Sequence, residues 1–234
     1  MSDLLTYELN GQIATIRLDD GKVNAQSISM LRAIHDAFDQ AERDNAVVVL
    51  TGREKYFSAG FDLKVFANEP ENLGEMLTLG ATLYERMLSF PAPVIAACSG
   101  HALAAGAFLL LAADMRIAAE GPFQIGLTEV KIGLTVPWFA VELARHRLNP
   151  AHFDQAVVCS TIYGPDEAVV PGFLDRVVPA AKLQAVSLEV AEQLAGLNRE
   201  AHAATKLRVR GGALKAMRAG IESELTPGRS GAEQ

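Results

Sequence analysis

Cysteine, tryptophan and aromatic residues in general are scarce in this chain. There are two cysteines and one tryptophan among 234 residues, and aromatics make up 6%. Cys98 and Cys159 stand far apart in apolar surroundings. They form neither metal-ligand spacing nor a disulfide framework, so buried free thiols in a reducing compartment are expected. Basic charge is also in the minority, with 21 Lys and Arg against 28 Asp and Glu and a net charge of −7. That balance argues against a nucleic-acid partner read through phosphate contacts. A local basic pocket for a small anion stays compatible with it. The opening MSDLLTYELNGQ lacks the basic-then-apolar form of a signal peptide, and a cytoplasmic location is the expectation.

One absence is local. From Val94 to Ala113, twenty residues pass without a formal charge, which meets the length criterion for a membrane span of roughly 18 apolar residues. Ser99-Gly100-His101 splits that run, Pro91 and Pro93 precede it, and strand signals follow at Asp114. A short buried strand, a loop and an apolar helix are therefore expected here, with no membrane involved.

Half the residues are apolar, enough for a sizeable core. LLTYEL and QIATIRL flank Asn10-Gly11 and read as a hairpin. Ile28, Leu31, Ile34, Phe38 and Ala41 mark a helix face after a Ser27 N-cap. AVVVL (46–50) reads as a strand buried on both faces. TGREKYFSAGFDLK is turn-rich, and an amphipathic helix follows from about Glu71 to Phe90. PAPVIAAC and DMRIAA read as strands, SGHALAAG between them as a loop followed by a short apolar helix. GPFQIGLTEVKIGLTVP is mostly loop, helix resumes near Trp138 and continues past Pro150, and FLDRVV is a late strand. Beyond Lys182 the pattern is helical until the tail TPGRSGAEQ. Strand, loop and helix recur in that order, which predicts an α/β layered core with a helical end.

Two segments, FSAGFDL (57–63) and SGHALAAGAFL (99–109), share a construction. Each sets small residues directly after a buried strand, where backbone N–H groups can face a cavity unobstructed. The second also opens a helix, whose first N–H groups are unpaired and partially positive. Read from spacing alone, both are either tight structural turns or the two halves of an oxyanion hole. In the second case each donor is worth roughly 3–4 kcal/mol to a reaction that builds enolate charge.

NAQ (24–26), FSAGFDL, PAPVIAACSGHALAAGAFLLLAADMRIAA (91–119) and GLTEVKIGL (126–134) together resemble the crotonase, or enoyl-CoA hydratase/isomerase, superfamily in order and approximate spacing. The resemblance covers roughly residues 5–180. It implies an α/β fold of the crotonase (ClpP-like) type, a spiral of repeated ββα units, with a C-terminal helical oligomerisation segment. Residues 1–181 would form the core with the active site, and 182–234 the segment for trimerisation, giving a homotrimer or a hexamer built as a dimer of trimers.

Carried over by position, the resemblance makes Phe61 and Ala105 the backbone oxyanion donors. The family usually has glycine at the second place; alanine serves there if it keeps negative φ at the helix start. Asn24, Ala25, Ser58, Ala59 and Gly60 match positions around the coenzyme A channel, and Leu134 and Trp138 fall in the acyl region. Asp62 reads as a cap of the following turn.

Hydratases of the family use two glutamates. At the first of those positions this chain has Phe108, and at the second it has Glu129. An apolar residue with a glutamate is the combination of the family's 3-enoyl-CoA to 2-enoyl-CoA isomerases. One carboxylate can take a proton from C2 and return it at C4, whereas hydration calls for a base, an acid and a positioned water. Coenzyme A enters as part of the thioester substrate, and no metal or other cofactor is implied.

Alternatives stay open at several places. Glu129 reads also as a carboxylate stabilised by a helix start. His101 reads as a packed loop residue, and Trp138 and Phe139 as pocket or core. TKLRVRGGALKAMR places five basic residues on a helix, as a solvated face or with Lys206 reaching a phosphate. Lys22 and Lys64 are similar phosphate candidates. The rival activities are a one-glutamate enoyl-CoA hydratase and a catalytically silent acyl-CoA-binding scaffold.

Overall fold

The structure is a computed structural model and describes residues 3–225; the TPGRSGAEQ tail lies outside them. A hairpin of β1 (Leu5–Asn10) and β2 (Ile13–Leu18) opens the chain and leads to α1 (Ile28–Arg43). Asn10 pairs with Ile13, so the turn is centred on Gly11-Gln12, with Gly11 at φ 59°. Three ββα turns follow. The first is β3 (Val47–Thr51), β4 (Lys55–Ser58), α2 (Leu63–Asn68) and α3 (Pro70–Ser89). The second is β5 (Val94–Cys98), β6 (Gly100–Leu103) and α4 (Ala105–Ala112). The third is β7 (Met115–Ala119), β8 (Ile125–Gly126) and α5 (Trp138–Arg147). The chain closes with α6 (Phe153–Val157), β9 (Arg176–Val178), α7 (Leu183–Ala195) and α8 (Arg199–Leu225).

Each turn contributes one strand to each of two sheets. The larger runs β1-β2-β3-β5-β7-β9 and is parallel except for the opening hairpin. The smaller runs β4-β6-β8 and is wholly parallel. The period-2 alternation of strands explains the two cores of the larger sheet. Val48, Leu50, Ala96 and Cys98 face the main core, while Val49, Ile95, Ala97 and Ile117 face Leu183, Val190 and Ala191 of α7. Ser27 caps α1 through the Met30 N–H at 3.2 Å, and Asp62 caps α2 through Lys64 N–H at 3.0 Å.

The uncharged run becomes β5, β6 and α4, and all eight residues of α4 are buried. Among the described residues no helix is long and apolar enough to cross a membrane.

Three expectations change. The segments read as turn-rich and loop contain β4 and β6, which pair with each other, and β6 pairs in turn with β8. SGHAL has little β-branched character, and its strand is made by tertiary pairing rather than propensity. Gly100 is required there, since an added Cβ would lie 2.0 Å from the Lys55 carbonyl carbon. Cys98 is buried but Cys159 is exposed. Lys206 is neither solvated nor free for a phosphate: with Arg210 it is buried against Asp114, at 2.7 and 2.8 Å. Asp114 also accepts the Val94 N–H at 2.7 Å, tying α8 to the edge of β5.

Candidate active site

The 57–61 segment is laced to the loop before α1. The Asn24 side chain donates to the carbonyls of Leu18, Tyr56 and Phe57 at 3.0–3.2 Å and accepts the Asp20 N–H at 3.0 Å. Its φ of 53° is held by those bonds. Ser58 Oγ donates to Asn24 O at 2.8 Å and accepts the Gly60 N–H at 3.3 Å. Ala59 N–H donates to Val23 O at 3.0 Å, and Ala25 N–H to Asp20 Oδ2 at 3.1 Å.

The two small-residue segments touch through their backbones. A Cβ on Gly60, which has φ 96°, would fall 2.9 Å from Leu103 O and 3.1 Å from Ala105 N. A Cβ on Gly106 would fall 2.1 Å from Ser58 O. Ala104, at φ 49° and ψ −126°, turns the chain from β6 into α4. The left-handed step is thus taken by Ala104, and Ala105 begins the helix with ordinary negative φ. Neither the Phe61 nor the Ala105 N–H donates to a protein acceptor among the described residues. Two unpaired donors on adjoining segments can receive one oxygen that gains charge.

Glu129 lies after β8, ahead of a single 3-10 turn at Val130–Ile132. It makes no side-chain capping bond, which disfavours the reading of a dipole-stabilised cap. The residue is 7% exposed and its Oε2 is buried without a hydrogen-bond partner. Burial pushes the carboxyl up to about 7, against the lowering effect of the Glu129 and Thr128 N–H groups.

A cavity of about 210 Å³ connects these parts. Ala59, Phe61, Phe108, Glu129 and Leu134 line it, and Glu129 is the sole ionisable residue among those that do. An apolar cavity with one basic group and two adjoining N–H donors suits proton transfer next to a carbonyl.

The remaining candidates fall elsewhere. Asn24, Ser58, Gly60 and Ala105 stand behind the lining and shape the donor loops. Trp138 does not line the cavity and is 57% exposed, at the start of α5, where its backbone N–H donates to Glu224 Oε2 at 2.9 Å. Its neighbour Phe139 is fully buried in the core beside Phe108. One α5 turn cannot send both rings inward, and the core takes Phe139. His101 lies on β6 between Tyr56 and Phe123, and its Nδ1 accepts the Gln124 N–H at 3.0 Å. Lys22 and Lys64 are exposed. Sequence reasoning passed over Gln26 and Tyr84, whose side chains meet at 2.6 Å behind the cavity. The buried polar Gln26 was visible within NAQ, but nothing in the sequence pairs it with a tyrosine on α3.

Residues 8–227 match the enoyl-CoA hydratase/isomerase family. A putative enoyl-CoA hydratase of Thermus thermophilus is 34% identical over 193 residues, spanning 79% of this chain and 75% of that protein. The crystal structure of an enoyl-CoA hydratase/isomerase family protein from Pseudomonas syringae superposes with a TM-score of 0.93 at 47% identity, covering 95% of this chain and 97% of that one. A Mycobacterium tuberculosis protein, named an enoyl-CoA isomerase in one structure and a probable enoyl-CoA hydratase in another, superposes with a TM-score of 0.91 at 42% identity, the first structure covering 95% of this chain and 98% of that one.

Proposed function

The chain belongs to the enoyl-CoA hydratase/isomerase family, and on that premise we propose that it converts 3-enoyl-CoA to 2-enoyl-CoA. Ionised Glu129 removes a C2 proton, and the thioester oxygen becomes an enolate held by the Phe61 and Ala105 N–H groups. Protonated Glu129 then returns the proton at C4 and the double bond settles between C2 and C3, so atoms and charge balance with no co-reactant. Coenzyme A takes part as the thioester's carrier, against the backbone of residues 24–25 and 58–60. The observation that carries this reading is the solitary carboxylate: Glu129 is the one ionisable residue lining the cavity, and the buried ring of Phe108 stands where the resemblance puts the hydratases' first glutamate. The Mycobacterium tuberculosis relative bears both names, isomerase and probable hydratase, and the Thermus relative is named a putative hydratase, so the preference for isomerisation rests on the cavity and not on the relatives' names. The same reading makes the protein a cytoplasmic trimer or dimer of trimers, with residues 1–181 carrying the site and 182–234 the assembly surface. The exposed Leu207 and Val209 of α8 support that part.

The test offers purified protein a 3-enoyl-CoA and a 2-enoyl-CoA, with Glu129→Gln in parallel. The expected result is 2-enoyl product from the first substrate, little hydration of the second, and loss of activity in the variant. Fast hydration of 2-enoyl-CoA would assign the hydratase reaction instead. Acyl-CoA binding without turnover of either compound would assign a silent binder.

A further inference from the structure

Two polar side chains behind the cavity have no part in the reaction as written. Tyr84, on α3, and Gln26, on the loop before α1, are both fully buried. The Tyr84 hydroxyl donates to Gln26 Oε1 at 2.6 Å, and Gln26 Nε2 lies 3.4 Å from Ser58 Oγ. An apolar pair of similar shape would fill this space without the desolvation that a buried hydroxyl and amide incur. Their presence there therefore calls for a use.

The backbone of Gln26 supplies one. Its N–H donates to the Gly60 carbonyl at 2.8 Å. That carbonyl and the Phe61 N–H belong to one peptide unit, which is planar and trans, so the two bonds point in opposite directions. Gripping the oxygen aims the N–H. The grip itself is anchored by Tyr84, whose ring packs on Phe108 at 5.6 Å and Phe139 at 6.2 Å between centroids. Gly80, one turn earlier on α3, leaves room for this arrangement. A Cβ there would meet the Phe61 ring at 2.6 Å and the Tyr84 hydroxyl at 3.3 Å.

We infer that Tyr84 and Gln26 are positioning residues: α3 holds Gln26, and Gln26 holds the Gly60–Phe61 peptide so that its N–H faces the cavity. The inference rests on the acyl-CoA reading for its kinetic arm only.

Its test compares Tyr84→Phe, Gln26→Leu and the double variant. The Phe substitution keeps the ring and its packing, so it separates the hydroxyl from the fold. Turnover of 3-enoyl-CoA should fall on the order of tenfold or more in each single variant through kcat, with KM changed by less than about twofold. The double variant should be no worse than the poorer single one, as expected for two groups acting in series. Hydrogen exchange at the Gln26 and Gly60 amides should quicken in all three. Wild-type kcat in Tyr84→Phe, losses that multiply in the double variant, or unchanged exchange at those amides would each overturn the inference. A wild-type protein that turns over no enoyl-CoA would sink the functional reading alone, and the exchange measurement would still judge the positioning.

Discussion

At Glu129, burial raises the carboxyl to about 7, so near neutral pH it exists in both the form that takes a proton and the form that gives one. The free-enzyme rate, kcat/KM, should climb as pH rises through about 7 and then level off, which a pH–rate profile checks. The same shift bears on stability. The folded state binds this proton more tightly than the unfolded chain, so its contribution is fully present below about 4.5 and is lost as pH rises through about 7. Glu129→Gln removes the penalty. It should leave the melting temperature unchanged at pH 4 and raise it by several degrees at pH 8, for a gain of up to about 3 kcal/mol. A variant that is inactive and more stable separates a charge kept for chemistry from one kept for structure. The glutamate was legible through the family resemblance that GLTEVKIGL carries and not through its apolar neighbours, since Val130 and Ile132 are about half exposed. Phe108 of α4 and Leu134, Thr135 and Pro137 share the cavity with it, a meeting of distant segments that no local pattern contains.

Among the elements, those with their own periodicity were legible: the hairpin, α1, the doubly buried β3 and β5, and α3. The short strands β4, β6 and β8 were not, because their residues earn a strand only by lying beside one another. Gly106 illustrates this dependence, since nothing in AAGAFLL announces that Ser58 O would sit 2.1 Å from an added Cβ. Gly106→Ala should push the start of α4 off the 57–61 segment, costing on the order of 1–3 kcal/mol in denaturant unfolding and separating the two donors. Gly74→Ala is the control. It lies on α3 with nothing within 4 Å of the added carbon, and should stabilise by about 0.5–1 kcal/mol through helix propensity alone.

For the molecule as a whole, the ion cluster at Asp114 joins regions that the sequence gives no reason to connect. Lys206 and Arg210 also donate to the Ala92 and Leu88 carbonyls, at 3.3 and 3.1 Å, and their side chains are 3% and 8% exposed. The basic run around them looked like a solvated face because helical spacing reports which residues share a side, not what covers it. Asp114→Asn would strand two buried cations. It should cost about 3–5 kcal/mol in urea unfolding, and Lys206→Met in the same chain should recover part of that loss.

The interleaving of the two sheets also sets an order in time. A chain emerging from its N-terminus completes β4 before it has any partner and β3 with only β2 beside it, since β5 and β6 come only after α2 and α3. Val94–Ala113 then appears as an uncharged length whose far face is not covered until α7 has been made. Parallel pairings over such separations are slow to form, and in that interval the segment is an apolar, strand-forming surface open to other chains. The run that builds one wall of the finished cavity is thus the nascent protein's chief hazard, and the part of it most in need of a chaperone's shelter.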